Sequence, residues 1–60
     1  MLDQERVIEA LENDELAGFC INCGEEYEEL LEGDAREVEC TACGEPKVYG
    51  AQEILIMGLL

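Results

Sequence analysis

Four cysteines carry the chemistry open to this chain. They are Cys20, Cys23, Cys40 and Cys43, in the pattern C-x2-C-x16-C-x2-C, and a glycine follows each pair, Gly24 and Gly44. Two residues between thiols let one tight turn aim both sulfurs at a single ion, and the spacing falls within the range of four-thiolate zinc sites. Glycine after the second cysteine can take a positive φ, so the following backbone N–H groups turn toward the sulfurs and temper their charge. The sixteen residues between the pairs allow a hairpin that returns the second turn beside the first. This predicts one tetrahedral centre with metal–sulfur distances of about 2.3 Å. The competing readings are a pair of disulfides, a redox-active C-x-x-C and four unrelated buried thiols. Disulfides belong to oxidising compartments. A redox C-x-x-C opens a helix in a βαβ setting, which this sequence lacks. Four thiolates suit iron as well as zinc.

What is missing narrows the function further. The chain has 60 residues and no His, so neither a Ser-His-Asp triad nor a His-ligated metal can be built. Four cysteines close a tetrahedral site, whereas catalytic zinc keeps a position open. The expected metal is therefore one structural ion, and no enzymatic activity is expected. A chain this short buries too little surface to be stable without a metal, a disulfide or a partner. It reads as a single domain over 1–60, with an N-terminal helical part (1–16), a four-cysteine ribbon (17–49) and a C-terminal helical part (50–60).

Charge is the second strong signal. Sixteen acids against three bases give a net charge of −13, and the bases are Arg6, Arg36 and Lys47. Binding to nucleic-acid phosphate draws on Lys and Arg, so direct contact with DNA or RNA is not expected. High charge also favours disorder, but 48% hydrophobic residues and the cysteines argue for a folded unit. Leu2-Asp3-Gln4-Glu5 has neither the basic start nor the apolar run of a secretory signal, so a reducing cytoplasm is the expected compartment. The apolar run 54–60 is too short for a membrane span.

Three elements must position the cysteines. Residues 3–12 read as a helix, with Asp3 as N-cap, Glu5 in the first turn, and Val7, Ile8 and Leu11 on one face. Asn13-Asp14 stops it. Leu16 to Cys20 reads as an extended lead-in. Gly33-Asp34-Ala35-Arg36 reads as a turn, with Arg36 beside Asp34 and Glu37, and it joins a strand expected at 37–40 to the segment 27–31, which reads as the opposing strand or, alternatively, a short helix. Val48-Tyr49 reads as extended and Gly50 as a break. A closing helix over 51–60 presents Ala51, Ile54, Leu55 and Gly58 on one face, and Ile56, Met57 and Leu60 on another. A short helix apolar nearly all round must be covered on more than one side. Val7, Ile8 and Leu11 are the expected cover for Ile56, Met57 and Leu60. The alternative is an exposed patch that joins two copies or docks on another protein.

Two resemblances attach to these residues. Cys20-Ile21-Asn22-Cys23-Gly24-Glu25-Glu26-Tyr27 resembles the first knuckle of rubredoxins, and Cys40-Thr41-Ala42-Cys43-Gly44-Glu45-Pro46-Lys47 the second knuckle of the rubredoxin-like tail of rubrerythrins. That resemblance implies a one-iron electron carrier. The x16 spacing is shorter than in rubredoxins, and the aromatic core is reduced to Phe19, Tyr27 and Tyr49. Across roughly 17–58 the chain resembles zinc ribbons more closely, in particular small acidic ribbon proteins of bacterial and phage genomes. Gly18-Phe19-Cys20, Cys23-Gly24, Asp34-Ala35-Arg36, Glu39-Cys40, Cys43-Gly44 and Val48-Tyr49-Gly50-Ala51-Gln52-Glu53 carry it. It implies a fold and a zinc ion, with no assigned activity.

The expected architecture is a small metal-stabilised α+β fold: a zinc ribbon of two C-x-x-C-G knuckles and a short antiparallel hairpin, flanked by an N-terminal and a C-terminal helix. The expected function is a non-enzymatic interaction or regulatory module. Glu25, Glu26, Glu28, Glu29 and Glu32 form the acidic stretch that would steer a basic protein partner, and Ile56, Met57 and Leu60 the apolar one. The alternatives are the iron carrier and an acidic mimic of nucleic acid that blocks a DNA-binding protein.

Overall fold

The computed structural model describes residues 2–59. Helix α1 spans Gln4–Glu12, strand β1 Gly18–Cys20, strand β2 Val48–Gly50 and helix α2 Ala51–Ile56. The architecture is a small α+β fold in which a two-stranded antiparallel ribbon separates the helices from a cluster of all four cysteines. Among the described residues no helix is long and apolar enough to cross a membrane.

Helix α1 starts where its cap says it should. The Asp3 carboxylate accepts from the Arg6 N–H at 3.3 Å, one of the donors a helix start leaves unpaired. Both helices end in the same way. The Asp14 N–H donates to the Leu11 carbonyl at 3.4 Å and the Glu15 N–H to that of Ala10 at 2.9 Å. At α2 the Gly58 N–H donates to Leu55 at 3.0 Å and the Leu59 N–H to Ile54 at 3.2 Å. This is the Schellman arrangement, whose C′ residue must be left-handed. Asp14 fills that position with φ 53° and Gly58 with φ 75°.

Helix α2 is shorter than the sequence suggests. It stops at Ile56 because Gly58 turns the chain, so the second apolar face never forms as a helical stripe. Ile54 is buried, while Ile56 is 74% exposed and Met57 is also exposed. The expected packing of Ile56 and Met57 against α1 is thus corrected: Val7 and Ala10 of α1 meet Ala51 and Ile54 instead, and Ile8 is exposed. Leu60 lies outside the described residues, and so does the packing expected of it.

The strand pairing also differs. The partner of β1 is β2, with Gly18 opposite Gly50, Phe19 opposite Tyr49 and Cys20 opposite Val48. The segments expected to pair with each other, 27–31 and 37–40, lie on opposite outer edges of this ribbon. The Tyr27 N–H donates to Gly18 at 2.7 Å and the Leu31 N–H to Leu16 at 3.2 Å, while Val38 and Val48 exchange two bonds of 3.0 Å. Glu37 takes φ 50°, which interrupts the alternation that made 37–40 look like a continuous strand.

Successive residues of a strand face opposite sides. Phe19 and Tyr49 therefore join the helix-side core with Val7, Ala10, Ala17, Ala51 and Ile54. Cys20 and Val48 join the other cluster, with Cys40, Cys23, Tyr27, Leu31 and Val38. Gly50 is required by close approach: a Cβ there would collide with the Glu32 and Gly33 carbonyls. That approach caps α2, which has no side-chain cap; the Ala51 N–H donates to Ala17 at 3.1 Å and the Glu53 N–H to Gly33 at 2.8 Å. Arg36, expected beside Asp34 and Glu37, instead pairs at 3.0 Å with the buried Glu53 carboxylate of α2.

Candidate metal centre

Each cysteine pair is built by one backbone device, used twice. In the first knuckle the Gly24 N–H donates to the Cys20 carbonyl at 2.9 Å, and the Cys20 N–H to the Glu25 carbonyl at 2.9 Å. In the second, Gly44 donates to Cys40 and Cys40 to Glu45, each again at 2.9 Å. Gly24 and Gly44 have φ of 86° and 78°, the left-handed turn that glycine reaches at least cost.

The knuckles face each other. The Cys20 and Cys43 sulfurs are 3.7 Å apart, and those of Cys23 and Cys40 are 3.6 Å apart. All four sulfurs lie within 4.8 Å of one another, and all four cysteines are free thiols. A tetrahedron with metal–sulfur distances of about 2.3 Å has edges of about 3.8 Å. These two cross-knuckle distances match that edge, so the donor set fits a single ion.

Nitrogen donors surround the sulfurs. The Cys23 N–H reaches the Cys20 sulfur at 3.4 Å, and the Ala42 N–H reaches that of Cys40 at 3.4 Å. The Glu25 and Glu45 N–H groups, placed by the two glycine turns, bond the Cys23 and Cys43 sulfurs. Gly24 and Gly44 thus act as the turn that delivers the next residue's N–H. Asn22 crosses between knuckles, its Nδ2 lying 3.6 Å from the Cys43 sulfur. Such donors stabilise negative sulfur and tune a metal held there.

The two exits from the knuckles titrate in opposite directions. At Cys43 the Glu45 N–H and then Asn22 pull the thiol down to about 6, against a modest cost of burial. At Cys23 the Glu25 N–H also pulls down, but burial and the sulfurs of Cys20, Cys40 and Cys43 together outweigh it and push the thiol up to about 12. One exposed and one half-buried sulfur therefore lean toward opposite charge states. The chain matches no family model, no characterised protein and no solved structure. What the site can hold follows from its own donors: four soft sulfurs and no oxygen or imidazole, a set that suits zinc or iron.

The other expected surface residues are dispersed. Glu25, Glu26, Glu28, Glu29 and Glu32 lie along the stretch that leaves the first knuckle, and none of them is buried. Glu26 is drawn into an ionic cluster that the sequence did not reveal. Arg6 donates from Nε and Nη2 to both Glu26 oxygens at 2.9 and 3.0 Å, from Nη2 to Glu15 at 2.8 Å, and from Nη1 to Glu9 at 3.2 Å. Its guanidinium carbon sits 6.0 Å from the centre of the Phe19 ring. The cluster holds the Glu15 carboxyl below the usual range, chiefly through the Arg6 hydrogen bond. Arg6 thereby ties α1 to the back of the first knuckle. Ile56 and Met57 stand apart, exposed at the end of α2.

Proposed function

We propose that the four cysteines bind one zinc ion, that this ion is structural, and that the protein is a non-enzymatic interaction module whose shape the ion sets. The convergence of the four sulfurs at tetrahedral spacing, with backbone N–H groups directed at them, supports this reading. Cys20, Cys23, Cys40 and Cys43 would fill all four positions of a tetrahedral ion and leave none for water or substrate. Such an ion would supply folding free energy where the apolar core is small. In zinc-finger peptides the binding contributes about 10–16 kcal/mol at neutral pH, as much as the whole stability of a typical domain, about 5–15 kcal/mol. The surface that remains is strongly acidic, a charge that favours encounter with a basic protein partner.

Metal analysis of the purified chain with visible absorption tests the proposal. One zinc per chain and a colourless solution are expected. A red protein with thiolate-to-iron absorption would replace the module by a one-iron electron carrier, and a chain free of metal would overturn both.

A further inference from the structure

We infer that the groove between the lead-in to β1 and the acidic loop 26–30 seats a basic, amphipathic segment of another protein, an assignment that rests on the interaction-module reading above. Two backbone bonds close the groove at its ends, Tyr27 to Gly18 and Leu31 to Leu16. Between them Ala17 and residues 28–30 line an open volume of about 290 Å³. Leu16, Ala17, Tyr27 and Leu30 give it apolar walls, and Glu15, Glu26, Glu28 and Glu29 stand among them.

Two observations fix the occupant's chemistry. The first is apolar exposure: Leu30 is 79% exposed and Leu16 51% exposed, although both lie on backbone anchored to the ribbon. A partner side chain of leucine size would cover them. The second is unmatched charge. Arg6 is committed to Glu15 and Glu26, and Arg36 to Glu53; among the described residues no ion pair reaches Glu28 or Glu29. Lysine or arginine beside the partner's apolar side chain would match those carboxylates. A second copy of this chain is a poor occupant, since each copy carries −13. Phosphate-bearing surfaces are repelled by the same charge.

The test uses the full chain with its metal content measured first. A fluorescein-labelled peptide of alternating lysine and leucine is titrated by anisotropy at about 0.15 M ionic strength, beside a lysine–serine peptide of equal charge. The lysine–leucine peptide is expected to bind about tenfold more tightly than the control, and Leu30→Ser is expected to remove that advantage. Glu28→Gln with Glu29→Gln should weaken binding and flatten its salt dependence. Ile56→Ser, on the exposed end of α2, should leave binding unchanged. Leu30 and Leu16 are exposed, so the variants retain the fold, which amide NMR dispersion checks. Equal affinity for both peptides, an unaffected Leu30→Ser, or an equal loss with Ile56→Ser would each overturn the groove assignment while leaving the metal centre intact. Absence of metal in the purified chain would instead remove the reading beneath it.

Discussion

The two faces of the β1–β2 ribbon are filled by opposite means. On the helix side, Phe19 is surrounded by small or branched apolar residues, Val7, Ala10, Ala17, Ala51 and Ile54, and water exclusion holds them. On the sulfur side, the buried residues are Cys20, Cys40 and Val48, and the centre is four polarisable thiols that resist sharing one space as anions. The first face needs only complementary shape. The second has a donor set that could hold a metal ion. Strand alternation puts Phe19 and Cys20 back to back, so each face is the floor of the other, and damage to one should be felt in the other to a degree that reports its share.

The largest break is on the sulfur side. Cys20→Ser is expected to abolish the cooperative fold, because it removes a buried sulfur of the proposed metal site and leaves a buried hydroxyl in its place. Circular dichroism and amide NMR dispersion read this directly. Next comes the helix side: Phe19→Ala, at a ring only 1% exposed, should cost about 3–5 kcal/mol in denaturant unfolding of the metal-loaded protein. A loss comparable to that of Cys20→Ser would mean that the apolar face, not the metal, carries the fold.

A finer test separates the knuckles. A thiol lowered from 9 to about 6 favours the folded state above the ordinary value, and that contribution is lost as pH falls through about 6. Asn22→Ala removes one of the donors that lower Cys43. It should therefore move the acid midpoint of metal release to higher pH, measured with a chromophoric chelator. The smallest effect concerns a helix end. Asp14→Gly relieves a left-handed non-glycine residue and should stabilise the protein by about 1 kcal/mol. It should do so without moving the metal-release midpoint.

Much of the helix side and nearly all of the sulfur side were legible beforehand. Asp3 and the spacing of Val7 and Leu11 mark α1, and the two C-x-x-C-G units mark the cluster without aid from tertiary structure. The extended segments at 16–20 and 48–49 were legible too, but the way they pair into the ribbon was not. Gly18–Cys20 and Val48–Gly50 are three residues each and distant in sequence, too short to show a period, and their pairing is decided by where the knuckles meet. The pairing expected within 27–40 was local and plausible, but Glu37 bends out of it. Gly50 read as a break because its real constraint, the carbonyls of Glu32 and Gly33, comes from a distant segment. Arg6 and Asn22 were missed for the same reason: their partners lie across the fold, and an exposed arginine or asparagine gives no local sign of them.

The dependence of the fold on the ion is tested most directly by adding zinc to reduced, metal-stripped chain while following amide NMR dispersion and bound metal together. Structure should appear in step with metal and saturate at one ion per chain. A metal-free chain that already shows the dispersed spectrum, with zinc adding nothing to it, would contradict the claim that four sulfurs and one cation complete this molecule.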